Sequence, residues 1–150
     1  MERTLCLLKP DAVQRGLVGK IIGRLENKGL KIVGTKMILM DINLAKIHYS
    51  AHVDKPFFAG MANFMTSSPI LALALEGNNA VEVLRNIMGA TDPQNADLGT
   101  IRADFAMSIG RNLVHGSDSA ESAEKELGIF FKENEIFNYE RDQEKWVIEF

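Results

Sequence analysis

Cysteine is almost absent from the sequence, since Cys6 is the only one among 150 residues. A single cysteine cannot form a disulfide within the chain, which fits a reducing compartment, and its apolar surroundings predict a buried thiol. No apolar run approaches the ~20 residues that a membrane-spanning helix needs. The first residues, Met-Glu-Arg-Thr, show no signal segment. We therefore expect a cytoplasmic protein without membrane association.

Basic residues are not in excess, because the net charge is −3 and the pI is about 5.6. This balance argues against strong nucleic-acid binding, but small phosphorylated ligands need only a local cluster of cations. The sequence lacks the phosphate-binding patterns G-x-x-x-x-G-K-[ST] and G-x-G-x-x-G. It also lacks a cysteine–histidine cluster for zinc. The remaining composition, 46% hydrophobic and 25% charged, predicts one soluble globular domain over residues 1–150.

His115 is the most informative of the three histidines in the sequence. It ends a short apolar run and directly precedes Gly116, ahead of a helix-forming run over residues 120–132. This order predicts a side chain displayed at the end of a strand, where the glycine permits a sharp turn. A histidine there can act as nucleophile, general base or metal ligand. The alternative is a histidine that only fills space beside the turn.

The predicted helix after His115 offers an acidic partner, Glu126. At helical period this residue falls on the edge of an apolar stripe, which consists of Ala120, Ala123, Leu127 and Phe130. A carboxylate there is costly unless it is paired, and an imidazole N–H is a suitable partner that would fix the ring's tautomer. The alternative is a hydrated carboxylate without a role. The spacing of Asp118 and Glu121 predicts that Asp118 caps this helix.

The stretch from Asn112 to Asp118 resembles the signature of the nucleoside diphosphate kinases, and residues 119–126 continue the match. The resemblance covers nearly the whole chain, and its motifs are highly specific in combination. The further matching segments are Arg3-Thr-Leu, Lys9-Pro-Asp, Gln14-Arg-Gly-Leu-Val-Gly19, Lys55-Pro-Phe-Phe58 and Gly99-Thr-Ile-Arg102.

The order of predicted elements is βαββαβ with helical insertions, which suits a four-stranded antiparallel sheet covered by helices. The resemblance implies the same ferredoxin-like fold, of the α/β (α+β) class. The first strand is apolar on both faces, so we expect it inside the sheet. The predicted strands are 3–8, 30–40, 70–75 and the run ending at 115; the predicted helices are 19–28, 44–50 capped by Asn43, a helix from 57–58 to about 66, 80–88 and 120–132.

The resemblance implies that His115 is a catalytic nucleophile that carries a phosphoryl group. Glu126 would orient its ring, with Ser117 as a possible intermediary, and Tyr49 would lie close by. The other two histidines, His48 and His52, have no acidic or glycine-rich neighbours in the sequence, so we interpret them as structural or solvated.

The resemblance also implies a set of phosphate and sugar contacts. Lys9, Arg85 and Arg102 would offset phosphate charge, with a hydrogen bond from Thr91. Lys9 and Asn112 would contact the ribose hydroxyls. From the residues alone, Lys9 is more simply a solvated lysine at a strand end, and Arg85 serves the dipole of its helix.

Two adjacent aromatic residues, Phe57 and Phe58, predict one core ring and one exposed ring, and an exposed ring can stack on a base. The resemblance places the base on Phe57. It also implies Mg²⁺ on the nucleotide's own phosphates, because the sequence shows no dedicated carboxylate cage. Asp118 would reach that metal only through water.

The predicted activity is transfer of the terminal phosphate of ATP or another nucleoside triphosphate to a nucleoside diphosphate, with ping-pong kinetics through His115. Two other classes stay open: a histidine phosphocarrier or regulatory protein, and a nucleotide-binding module without turnover. The apolar C-terminal segment, residues 136–150, needs cover from the domain or from a second subunit. The resemblance implies a homo-oligomer, and the extended tail resembles that of the hexameric members of the family, which favours a hexamer built from dimers, with a tetramer as the alternative.

Overall fold

The computed structural model describes residues 1–149 and has the predicted four-stranded antiparallel sheet. The strands are β1 (Glu2–Leu8), β2 (Lys31–Ile38), β3 (Ile70–Gly77) and β4 (Val114–Gly116), in the order β2-β3-β1-β4. The helices are α1 (Pro10–Gln14), α2 (Val18–Lys28), α3 (Ile42–His48), α4 (Phe58–Met65), α5 (Ala80–Met88), α6 (Ile101–Phe105) and α7 (Ala120–Phe130). The ferredoxin-like order and the internal position of β1 are therefore confirmed.

Alternating side chains of β1 pack into two apolar cores, one on each face of the sheet. Cys6 and Leu8 pack in the core beneath α2 and α5. Leu5 and Leu7 pack in the other core, beneath α3, α4 and α7. Cys6 has no exposed surface, and burial raises the pKa of its thiol to about 12. The predicted buried thiol is confirmed.

The register of β4 places His115 on the face covered by α3, α4 and α7. His115 lies opposite Leu7 in the antiparallel pair of β1 and β4, and residues directly opposite share a face of the sheet. Because α7 follows β4 after three residues, it returns over this same face. The short β4 therefore brings the histidine and the helix that carries Glu126 together.

Two predicted helix caps are wrong by one or two residues. Asp41, not Asn43, caps α3, because the helix begins at Ile42 and the Asp41 carboxylate accepts the N–H of Leu44 at 2.7 Å. Ser119, not Asp118, caps α7, because its hydroxyl accepts the N–H of Ser122 at 3.0 Å. Both errors have the same cause: neighbouring residues with similar capping chemistry are not separated by sequence spacing.

Sequence periodicity also misses the short helices α1 and α6, which are five residues each and too short to show a period. The predicted strand 30–40 ends earlier, at Ile38. The loop from 90 to 99 contains only a short 3₁₀ turn at Pro93–Asn95. No helix within residues 1–149 is long and apolar enough to cross a membrane.

The C-terminal segment runs along the outer edge of β2. The N–H of Phe137 donates to the carbonyl of Val33 at 2.8 Å, and the Tyr139 hydroxyl donates to the carbonyl of Ile32. Trp146 nevertheless stays 82% exposed. The domain thus covers only part of this apolar segment, and Phe150, which the sequence assigned to the same segment, lies outside the described residues.

Gly89 ends α5 and leads the chain toward the 90–99 loop. Its φ of +86° is a backbone conformation that side chains disfavour, and a Cβ there would lie 2.7 Å from Cβ of Thr100. The close approach of α5 to the start of α6 therefore depends on the missing side chain.

We expect Gly89→Ala to lower the free energy of unfolding by about 1–3 kcal/mol, because it adds both backbone strain and a clash. Urea denaturation would measure the change. Gly60→Ala in α4 is the matched control, since a Cβ there meets no atom within 4 Å and a helix interior favours alanine. Equal losses in the two variants would contradict this account of Gly89.

Candidate active site

A cavity of about 490 Å³ opens between α3, α4, α7 and the ends of β1 and β4. It is lined by ten of the eleven side chains that the sequence singled out, namely Lys9, Tyr49, Phe57, Arg85, Thr91, Arg102, Asn112, His115, Asp118 and Glu126. The eleventh, Ser117, is fully buried behind it. Residues spread over 118 positions of sequence, from 9 to 126, thus converge on one cleft.

His115 lies in this cleft with one ring nitrogen already engaged. Its Nε2 is 2.7 Å from Oε1 of Glu126, and the Ser117 hydroxyl donates to the same oxygen at 3.1 Å. Burial raises the pKa of Glu126, but the hydrogen bond and charge of His115 outweigh it and the net pKa is below the usual value. The carboxylate is therefore ionised and accepts from Nε2–H, so the lone pair of the neutral ring lies on Nδ1.

The expected pairing of His115 with Glu126 is therefore present, and the two side chains touch directly. Ser117 does not stand between them; it shares the same carboxylate oxygen. A neutral imidazole whose tautomer is fixed by a carboxylate is a competent nucleophile or base at its other nitrogen.

Lys9 and Asn112 form one polar unit at the side of the cleft. Nζ of Lys9 donates to Oδ1 of Asn112 at 2.6 Å, and Nδ2 of Asn112 donates to the carbonyl of Thr91 at 2.9 Å. Burial lowers the pKa of Lys9 to about 8, although Asp11 acts in the opposite direction. Lys9 is thus half-buried and hydrogen-bonded. The interpretation as a freely solvated lysine is therefore wrong, and the placement fits a ligand contact.

Arg102 is only 6% exposed and is the most deeply placed cation of the site. Its Nε, Nη1 and Nη2 donate to the carbonyls of Asn112, Gly89 and Val114, at 3.2, 3.0 and 2.6 Å. Burial, with a contribution from Arg85, lowers its pKa to about 10. Three of its five N–H groups are thereby used, which leaves two for an anion in the cleft.

Arg85 reaches the cleft from the last turn of α5. Its Nη1 donates to the carbonyl of Gly116 at 3.4 Å, next to His115. Together with Lys9, Arg102 and Lys125 it gives the cleft four cations, against the two carboxylates Glu126 and Asp118. The cleft is therefore locally cationic in a chain whose net charge is −3.

The adjacent aromatic residues divide as predicted. Phe58 is 9% exposed and packs in the core, whereas Phe57 is 54% exposed and lines the cleft. The ring of His52 lies 5.4 Å from that of Phe57, tilted by 54°. The exposed Phe57 face at the cleft mouth is suited to stack on a flat ligand group.

The acidic residues of the cleft are too few to hold a metal by themselves. Within residues 1–149 no group of three or more His, Cys, Asp and Glu side chains is arranged to bind an ion. Asp118 lines the cleft as an exposed side chain. A metal here would have to bring most of its own oxygen ligands, as a metal bound to phosphates does.

Comparison with known proteins agrees with this chemistry. The family profile described as nucleoside diphosphate kinase matches residues 2–136. The chain is 52% identical over 149 residues to a nucleoside diphosphate kinase of Archaeoglobus fulgidus and 50% identical to one of Staphylococcus haemolyticus, in each case with at least 99% of both chains covered. The chain belongs to the nucleoside diphosphate kinase family.

Solved structures of the family have the same fold. A halophilic nucleoside diphosphate kinase from Halobacterium salinarum, in complex with CDP, superposes with a TM-score of 0.96 at 49% identity and covers 99% of each chain. A family protein from Babesia bovis superposes with a TM-score of 0.95 at 39% identity, covering 99% of this chain and all of its own. The chain is accordingly a nucleotide-binding phosphotransferase that moves the terminal phosphate of a nucleoside triphosphate to a nucleoside diphosphate.

His48 is a cleft residue that sequence reasoning placed only as structural or solvated. Its ring packs edge-on against His115, with centroids 4.9 Å apart and planes at 87°, and against Tyr49 and Phe130. Neither ring nitrogen has a hydrogen-bond partner among the described residues, and both are buried. Burial lowers its pKa to about 4, so the ring is neutral near pH 7. His48 is therefore not solvated. In the sequence, only its position beside Tyr49 near the end of α3 indicated that it could lie in the cleft.

The buried neutral state of His48 makes folding sensitive to acid. The unfolded chain protonates this ring with a pKa of 6.5 and the folded chain only near 4. Between these values the unfolded state binds more protons, so stability must fall as the pH falls. We expect the free energy of unfolding to decline over this range in the wild type and to decline less in His48→Phe, as measured by urea denaturation at each pH.

Phe130→Leu is the matched control, because it alters the packing around the same ring without removing a titrating group. Its loss of stability should be nearly the same at each pH. If His48→Phe keeps the full wild-type slope, the neutral state of His48 in the folded protein is wrong.

Proposed function

We propose that the transfer proceeds in two steps through a phosphohistidine on Nδ1 of His115. In the first step Nδ1 attacks the terminal phosphorus of a nucleoside triphosphate, the P–N bond forms, and the bond to the bridging oxygen breaks to release the diphosphate. In the second step a terminal oxygen of another diphosphate attacks the same phosphorus and the P–N bond breaks. One site serving both steps gives ping-pong kinetics.

The observation that carries this proposal is the fixed tautomer of His115. Glu126 accepts from Nε2 at 2.7 Å, so in the neutral ring Nδ1 carries the lone pair that attacks phosphorus. The carboxylate also stabilises the positive charge that the ring gains as Nδ1 bonds to phosphorus. Glu126 and Ser117 therefore act as positioning residues for the nucleophile.

Three cations of the cleft, Lys9, Arg85 and Arg102, are proposed to stabilise the transferred phosphate. Arg85 and Arg102 flank the strand that carries His115, so their charges lie where negative charge builds up in phosphoryl transfer. Thr91 would add a hydrogen bond. Arg102 is held by three carbonyls before any ligand arrives, so it does not need to reorganise.

The remaining cleft residues are proposed to hold the nucleoside. The Lys9–Asn112 pair would exchange part of its mutual bond for contacts with the ribose hydroxyls. Phe57 would stack on the base, and stacking tolerates any base because each one offers a flat face. Tyr49 packs on His48 beside the nucleophile and would close that side of the site.

Nucleotide kinases generally use a divalent metal, and we propose Mg²⁺ bound to the nucleotide phosphates. Mg²⁺ keeps several of its waters when it binds through phosphates, which suits a cleft with few carboxylates. The ion would neutralise phosphate charge, and Asp118 would contact its shell through water.

We also propose a cytoplasmic homo-oligomer, a hexamer built from dimers, with a tetramer as the alternative. The support is an apolar surface that the single domain leaves exposed around the edge strand β2, formed by Met37, Leu39, Ile42 and Ile47. Four cationic side chains line the cleft while the net charge of the chain is −3, which supports free nucleotides rather than nucleic acid as ligands.

The first test is to label the protein with γ-³²P-ATP and Mg²⁺ and then add GDP. We expect label in the wild type that survives alkali, is lost in acid and moves rapidly to GDP, as a phosphoramidate bond to histidine would. His115→Ala should acquire none. Label that forms but does not move to GDP would favour a phosphocarrier, and the absence of label would favour a binding module without turnover.

Glu126→Gln tests the fixed tautomer. The amide keeps the size of the side chain but removes the charge, so we expect the rate of phosphohistidine formation in a single turnover to fall by about 10–100-fold. Glu124→Gln, an exposed change on the same helix, is the matched control and should retain the wild-type rate. An unchanged rate in Glu126→Gln would remove the carboxylate from the mechanism.

A further inference from the structure

Leu113 has a backbone conformation that leucine rarely adopts. Its φ is +74°, and it is the only such residue in the described chain besides Asn79 that is not a glycine. The N–H of Val114 donates to the carbonyl of Asn112 at 2.9 Å, which closes a three-residue γ-turn around Leu113. A γ-turn with positive φ at its centre is rare and strained, and such strain persists only where the surroundings enforce it.

The turn changes which face of the strand each side chain occupies. In an extended strand, residues an odd number apart point to opposite faces, so Asn112 and His115 would diverge. In this structure both line the same cleft, whereas Leu113 between them is fully buried in the apolar core. The strained turn is therefore what lets one short segment supply both the proposed sugar contact and the nucleophile.

Asp11 is the side chain that holds the turn at its centre. Its Oδ2 accepts the N–H of Leu113 at 3.0 Å, while the backbone N–H of Lys9 donates to the Leu113 carbonyl at 2.8 Å. Both backbone groups of Leu113 are thus tied to the start of α1. The other oxygen of Asp11 is buried and has no partner among residues 1–149.

A buried carboxylate with one unpaired oxygen is costly for stability. This loss of stability lies next to the cleft. A side chain with an amide or a hydroxyl would lower the stability less if Asp11 served only to begin α1. Arg102 completes the restraint, since it binds the carbonyls of Asn112 and Val114 on either side of the turn. The restraint is thus electrostatic from both directions.

We propose that Asp11 is a positioning residue for phosphoryl transfer: its carboxylate holds the strained turn at Leu113, and the turn directs Asn112 and His115 into one cleft. This inference deepens the proposed function and rests on it. Asp11 itself touches neither substrate nor the reacting atoms, so its removal should affect the reaction through the aim of Asn112 and His115.

The sugar preference provides a readout that simple loss of stability would not change. We would measure kcat/KM for GDP and for its 2′,3′-dideoxy analogue with phosphorylated wild type, Asp11→Asn and Asp11→Ala. Asp11→Asn keeps an oxygen that can accept the Leu113 N–H and should retain the wild-type ratio. Asp11→Ala should lower the preference for the ribonucleotide by about tenfold, the usual worth of one well-placed hydrogen bond. If Asp11→Ala does not fold, Asp11→Ser replaces it, because the serine side chain is too short for its oxygen to reach the Leu113 N–H.

A second experiment separates the strained backbone from other effects of Asp11. Asp11→Ala is combined with Leu113→Gly, which adopts positive φ freely, and with the matched control Leu113→Ala, which leaves a similar cavity but keeps the backbone penalty. The effect of Asp11→Ala on the sugar ratio should disappear in the glycine background and persist in the alanine background.

An unchanged sugar ratio in Asp11→Ala, or the same change in all three backgrounds, would overturn the role of Asp11. These outcomes differ from a failure of the proposed function, in which wild type itself would not transfer phosphate to GDP.

Discussion

A single buried guanidinium joins the parts of the molecule that form the cleft. Arg102 binds the carbonyl that ends α5 and the two carbonyls that flank the turn before His115. A charge this deep is costly unless its donors are satisfied, and three of its five N–H groups donate to carbonyls. The end of α5, the turn at Leu113 and β4 are therefore held together by one side chain, and this contact positions the cleft residues that they carry.

Two histidines with ring centroids 4.9 Å apart have opposite chemistry because their surroundings differ. His115 meets a carboxylate, which fixes one nitrogen as a donor and leaves the other exposed to the cleft. His48 meets aromatic rings and burial, which keep it neutral. A neutral neighbour neither competes for Glu126 nor places a positive charge beside the proposed nucleophile. The pair illustrates how environment, not residue type, assigns acid and base roles.

The parts of the site that the sequence predicts are those with a local pattern. Helical period places Glu126 on the edge of the apolar stripe of α7, and adjacent aromatics predict one core ring and one exposed ring. The turn at Leu113 has no such signal, because leucine has no preference for positive φ and the residue that enforces it, Asp11, is 102 positions away. His48 escapes for the same reason, since its ring partners other than Tyr49 come from distant β4 and α7. The predicted Asp118 cap is wrong for a different reason, because Asp118 and Ser119 are adjacent and both are good capping residues.

Protein groups already hold three cations of this cleft before any nucleotide is present. Lys9 rests on Asn112, Arg102 on three carbonyls and Arg85 on the carbonyl of Gly116. Cations held in this way stabilise a transition state without reorganising at the moment of reaction. A cation that donates to only one oxygen keeps its other N–H groups available for phosphate. Bringing like charges together in a half-buried cleft costs free energy. During folding, carbonyls and amides of the strained segment 112–116 offset that cost. That segment is consequently both the most strained part of the described backbone and the part that joins the proposed nucleophile to the proposed sugar contact.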